Sequence, residues 1–136
     1  FSMRSSQYGL AELFSVEPHM AHEEALKTCL AADIALLVTH SVGSENAIPA
    51  KLFEYIAVGK PILAVTTDAL VTEPIRRLDL GWCFSHTQTA ELAEKLVEWV
   101  RNPEFVRNMK LPGLGLSEFD AEKQLRTLEG ALRNLL

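Results

Sequence analysis

The run over residues 48–65, IPAKLFEYIAVGKPILAV, constrains the fold more than any other part of the chain. A proline in or just before the first helical turn is preset in φ, a glycine suits the position past a helix end, and a second proline can open a strand where no N–H is needed. Pro49, Gly59 and Pro61 stand in that order, so the spacing predicts a helix closed at Gly59 and followed directly by a buried strand. Residues 33–38 (DIALLV) precede it as a continuous apolar run behind an acid, the pattern of a central parallel strand covered on both faces. The helix therefore starts near the carboxyl edge of a parallel sheet, where open α/β folds bind ligands.

The rest of the chain punctuates itself in the same way. Residues 13–16 (LFSV) read as a short buried strand that ends at the turn Glu17, Pro18, His19. A helix from Ala21 to near Ala32 follows, with Ala25, Leu26, Cys29 and Leu30 on one face and Glu23 paired to Lys27. After the 62–65 strand come a short helix over 69–78 stopped by Gly81, an edge strand over 82–84, and an amphipathic helix over 89–101 with Leu92, Leu96, Trp99 and Val100 in register. A further helical turn over 104–110 leads to a last helix behind Ser117-x-x-Asp120, with Leu125, Leu128 and Leu132 as its stripe. The predicted fold class is α/β, a Rossmann-like parallel sheet of about four strands with helices on both faces. Residues 1–12 read as a poorly defined leading segment or the end of a truncated helix, and 13–136 as one partial Rossmann-like donor-binding domain.

At 136 residues with 48% hydrophobic content the chain supports one core. Its net charge of -5 argues against a general nucleic-acid surface, which needs a basic stripe. A small phosphorylated ligand needs only a helix end and one or two cations. No apolar run approaches the roughly 20 residues that span a bilayer, and the chain is read as cytoplasmic, with placement at the inner membrane face as a second reading for the parent protein. Cys29 and Cys83 lack metal or redox spacing and read as small hydrophobes; His19 and His22 have a ligand-like spacing but no third ligand nearby, so no metal is expected.

The chemistry concentrates at the start of the helix from Ala50. The amides near Pro49, Ala50 and Lys51 lack intrahelical acceptors and carry the partial positive charge of the helix end, which suits a diphosphate. Lys51 adds a full charge, and the preceding loop, residues 39–46 (THSVGSEN), supplies Gly43 and Ser44 for close backbone approach. Glu54, one turn farther in, offers two acceptor oxygens to the adjacent hydroxyls of a ribose. The plainer alternative is a surface ion pair between Lys51 and Glu54, with Tyr55 as packing and the loop as a simple connection. Glu17, Pro18 and His19 are candidate nucleobase contacts if they follow a strand end, with an ordinary turn as the alternative. Asp68, past the 62–65 strand, is a weaker candidate for a sugar or acceptor contact.

The string PAKLFEYIAVGKPILA resembles the donor-binding signature in the C-terminal domain of GT-B glycosyltransferases of the retaining, nucleotide-sugar-dependent group. HEEALKTCLAADIALLV upstream and TAELAEKLVEWVRNPE downstream extend the similarity over roughly residues 13–136. The resemblance implies that Glu54 holds the ribose of the donor, for instance UDP-linked, and that the helix start at Pro49, Ala50 and Lys51 holds the diphosphate. Where that family often carries a second glutamate on the donor sugar, this chain has Asn46, which can hydrogen-bond a hydroxyl without a charge. The family's basic, glycine-bearing first strand and loop and its N-terminal acceptor domain have no counterpart before Leu13, so the chain is expected to be a fragment inactive alone, with the acceptor domain of the same parent as its partner. Glycosyl transfer to a glycan, lipid or small molecule is the leading expectation, with no cofactor beyond the donor itself. A nucleotide-sugar epimerase or a noncatalytic nucleotide- or partner-binding domain are the alternatives, and a homodimer through an exposed sheet edge is a further expectation.

Overall fold

The structure is a computed structural model that describes residues 6–39, 48–109, 111 and 119–133. Its centre is a parallel sheet of β1 (Ala35–Val38), β2 (Ile62–Val65) and β3 (Gly81–Phe84), in the order β1-β2-β3. Ala35 pairs with Ile62 and Ile62 with Gly81, so Ala35, Leu37, Ile62, Ala64 and Cys83 share one face and Leu36, Val38, Leu63, Val65, Trp82 and Phe84 the other. The described helices are α1 (His22–Ala31), α2 (Ala50–Ala57), α3 (Ala69–Arg77), α4 (Thr89–Arg101), α5 (Pro103–Arg107) and α6 (Ala121–Arg133). The α/β, Rossmann-like class is therefore as the sequence predicts, with three strands among the described residues instead of four.

The strand expected at residues 13–16 is the one that fails. Ala11–Leu13 is a 3₁₀ turn, and Leu13, Phe14 and Val16 are 77%, 48% and 69% exposed. A four-residue apolar run carries no information about its pairing partner, and the free edge of β1 is already engaged: the Tyr55 hydroxyl donates to the Leu36 carbonyl at 3.3 Å. Glu17, Pro18 and His19 consequently follow exposed chain, not a strand end.

Both crossover helices, α2 and α3, cover the first face. Leu52, Ile56, Val71 and Ile75 close over Ala35, Leu37, Ile62 and Ala64, with Leu52, Ile62, Val71 and Ile75 wholly buried. The other face carries a smaller core in which Trp99 of α4 and Val106 of α5 meet Leu63, beside Trp82 and Phe84. Trp82 and Trp99 pack at 4.5 Å between ring centroids. α4 sits over β2 and β3, so on this face β1 is left bare, with Leu36 56% and Val38 50% exposed.

Local chemistry sets the helix ends. α2 closes in a Schellman arrangement: Gly59 at φ +69°, its N–H on the Ile56 carbonyl and the Lys60 N–H on the Tyr55 carbonyl. α3 closes identically, but through Asp79 at φ +51°, with its N–H on Arg76 and the Leu80 N–H on Ile75. Gly81, expected to stop that helix, instead opens β3. α6 is capped by Asp120, whose carboxylate accepts from the amides of Glu122 at 2.9 Å and Lys123 at 3.3 Å; Ser117 lies outside the described residues.

Candidate functional site

α2 is placed by its buried side. Leu52, Tyr55 and Ile56 face the sheet at helical spacing, which turns Ala50, Lys51 and Glu54 outward. Phe53 is 39% exposed and meets Phe119 edge-to-face at 5.6 Å, and Tyr55 takes the inward place.

The helix starts just past the carboxyl end of β1. Pro49 is the N-cap residue in extended conformation and has no N–H to offer, so the first-turn donors without an acceptor among the described residues are the amides of Ala50 and Lys51. The Leu52 amide is already bonded to the Pro49 carbonyl at 2.9 Å. No side chain caps this end among the described residues. Gly43, Ser44 and Asn46 lie outside the described residues.

Glu54 is half-buried, and among the described residues its ion-pair partner is His22, not Lys51: His22 Nδ1 lies 3.9 Å from Glu54 Oε1. The i,i+3 ion pair offered as the plain reading of Lys51 and Glu54 does not form. His22 opens α1, whose first turn also bears Glu23 and Glu24, and the Glu24 carboxylate accepts from the Ala21 amide at 3.3 Å. Sequence spacing considered His22 only as a metal ligand. Its place beside Glu54 depends on how α1 packs against α2, which spacing along the chain does not encode.

Just past the carboxyl ends of β1 and β2 lies a pair of hydroxyls that sequence reasoning passed over. Thr39 and Thr66, both buried, follow β1 and β2 and hydrogen-bond to one another, and Thr66 Oγ1 also accepts from the Asp68 amide at 3.0 Å. They tie together the carboxyl ends of two strands. The repeat of Val-Thr at the ends of LLVT and LAVT was the available signal. Asp68 is the N-cap of α3, where its carboxylate accepts from the Leu70 amide at 2.9 Å.

Tyr55 joins this edge to the core. Burial first, then the Cys29 thiol and the Glu54 carboxylate, raise its phenol above the ordinary value near 10. A group whose folded pKa is raised contributes stability that is complete below its unfolded pKa and is lost as pH rises through the folded one. Urea unfolding from pH 8 to 11 should therefore show the wild-type midpoint falling above about pH 10 more steeply than that of Tyr55→Phe. At pH 8 the variant should lose only about 0.5–1.5 kcal/mol, since water can serve the Leu36 carbonyl at the sheet edge. Parallel curves above pH 10 would contradict this assignment.

The strand order β1-β2-β3 contains no reversal, so the described strands satisfy the carboxyl-edge condition for ligand binding without including a topological switch point. No helix of the described residues is long and apolar enough to cross a membrane. No protein-family model, curated protein or solved structure matches this chain.

Proposed function

We propose that this domain binds the nucleoside diphosphate of a nucleotide-sugar donor and serves a glycosyl transfer reaction. The observation that carries the reading is the division of labour on α2: two amides without acceptors among the described residues at its start, and a half-buried carboxylate one turn on. The Ala50 and Lys51 amides and the Lys51 ammonium would bind the diphosphate. Glu54 would accept hydrogen bonds from both ribose hydroxyls, which orients the donor along the helix. The sequence similarity around Pro49 to Pro61 supports the same roles.

In such a transfer the bond between the anomeric carbon and the diphosphate oxygen breaks, and its electron pair leaves on the diphosphate. The acceptor hydroxyl oxygen forms the new bond, and its proton passes to an oxygen of the departing diphosphate. The helix amides and Lys51 then matter more as the reaction proceeds, because negative charge grows on the leaving group they face. Gly43, Ser44 and Asn46 are proposed to line the same site from the loop, Asn46 toward the donor sugar. No strand precedes Glu17, Pro18 and His19 among the described residues, so no contact to the base is proposed for them.

Titration with UDP, GDP and ADP, followed by calorimetry and by amide shifts, tests the reading. One nucleotide should bind preferentially, shift the Ala50 and Lys51 amides, and lose at least about tenfold in affinity in Glu54→Ala. Equal affinity in wild type and Glu54→Ala would remove the ribose role. Shifts confined to other parts of the chain would remove the site.

A further inference from the structure

One hydroxyl proton is left over at the carboxyl edge of the sheet. Thr39 and Thr66 are 8% and 3% exposed, and their hydroxyl groups bond to one another. Two hydroxyls hold two protons, and the bond between them uses one. The other has no acceptor among the described residues, while the Thr66 oxygen also accepts from the Asp68 amide at 3.0 Å. The amides of the pair are already committed to the ladder, that of Thr39 to the Val65 carbonyl and that of Thr66 to the Phe84 carbonyl. A buried donor is costly to leave without an acceptor, so the spare proton marks a place for one.

The sheet fixes where that place is. Side chains alternate along a strand, so Thr39 shares the face of Ala35 and Leu37, and Thr66 that of Ile62 and Ala64. This is the face that α2 covers. Because α2 joins two parallel neighbours it runs back along β1, and the Tyr55 hydroxyl on the Leu36 carbonyl sets the level of one against the other. From Leu36 to Thr39 the chain advances about 10 Å, and from Tyr55 back to Pro49 the helix covers about 9 Å. The hydroxyl pair is therefore level with the opening of α2, on the sheet side of the Ala50 and Lys51 amides.

The donors also have a direction. The Asp68 amide donates to Thr66, Thr66 to Thr39, and the spare proton then stands on Thr39, the more exposed of the two and the one that leads into the connection to α2. Donors in line polarise one another, which suits the last of them to an anion. We propose that the Thr39 hydroxyl donates to the distal phosphate of a nucleoside diphosphate, a role that rests on α2 being the nucleotide site. Glu54 lies about 6 Å along the helix from Ala50, so a nucleotide whose ribose is held at Glu54 carries its distal phosphate to the helix opening beside Thr39. A monophosphate held by the same ribose stops short of it.

Calorimetric titration with UMP, UDP, GMP, GDP, AMP and ADP tests this in the wild type, Thr39→Val, Thr39→Ser and Glu54→Ala. Valine copies the shape of threonine and keeps the amide bond to Val65, so Thr39→Val should retain the wild-type far-UV circular dichroism. The wild type should bind its preferred diphosphate at least about tenfold more tightly than the matching monophosphate. Thr39→Val should lose most of that preference by weakening the diphosphate alone, and Thr39→Ser should retain it. Glu54→Ala should weaken both nucleotides and leave their ratio unchanged. A wild type without the preference overturns the proposal. So does a preference that survives in Thr39→Val while Glu54→Ala still weakens both nucleotides, a result that keeps the ribose role of Glu54. Loss of the preference in Thr39→Val beside an unaffected Glu54→Ala keeps the hydroxyl donor and removes the ribose role, and a chain that binds none of the six nucleotides overturns both.

Discussion

Gly81→Ala should destabilise the fold more than alanine at any other described glycine. Gly81 stands at φ +149°, and a Cβ built there would lie 2.0 Å from the carbonyl oxygen of Ile62 and 2.6 Å from its nitrogen. Those are backbone atoms of the central strand, with Ile62 itself wholly buried and its amide bonded to the Leu80 carbonyl at 2.9 Å. No rotamer change relieves the clash. β3 would have to move away from β2, giving up the ladder from Ile62–Gly81 to Val65–Phe84 and the packing of Trp82 on Trp99. The cost should exceed about 3 kcal/mol, a large part of the 5–15 kcal/mol by which a domain is typically stable. Gly59→Ala is the control: φ is +69°, but nothing lies within 4 Å of the added carbon, so only the left-handed backbone cost of about 1–2 kcal/mol applies. Urea titrations of the two variants check the ordering. A Gly81→Ala protein that unfolds near the wild-type midpoint would mean that β3 does not approach β2 as described.

The contrast between these glycines shows what the sequence could convey. Gly59 was legible because its job is local: a helix pattern ends, a strand pattern begins, and Pro61 stands between them. Gly81 was legible as a break and was misread as a helix stop, since the residue that closes α3 is Asp79, in a conformation unusual for anything but glycine. The close approach to Ile62 is a contact between segments far apart in sequence. The same division runs through the rest of the fold. β2 announced itself as a buried strand by a continuous apolar run. β1, read from the same kind of run as a central strand covered on both faces, is an edge strand of the described sheet and bare on one face, and residues 13–16, also read as a buried strand, form no strand. On α4 the stripe of Leu92, Leu96, Trp99 and Val100 was read correctly as apolar, yet only its Trp99 side is covered. At the candidate site, Lys51 and Glu54 were placed outward by the helical period, while the His22 partner of Glu54 and the Thr39–Thr66 tie came from packing between elements.

Leu52→Ala should cost about 2–5 kcal/mol, the range for a wholly buried leucine whose site collapses only in part. Its more telling effect concerns the site. Leu52 is the third residue of α2, and it is the first side chain of that helix to reach the core. With it gone, only the half-exposed Phe53, edge-on to Phe119, holds the opening turn before Tyr55, and the amides of Ala50 and Lys51 lose part of their fixed direction. Ile75→Ala supplies the comparison, since Ile75 is equally buried but sits near the end of α3. Both variants should show similar losses in urea unfolding. At low temperature, where the folded form of each still dominates, Leu52→Ala should bind nucleotide several-fold more weakly while Ile75→Ala keeps the wild-type affinity, because binding to the folded fraction depends on how well the donors are already oriented. Equal affinities for the two would show that the first turn keeps its shape without its anchor. Weakened affinity in both would place the coupling in the whole core, with α2 only one part of it.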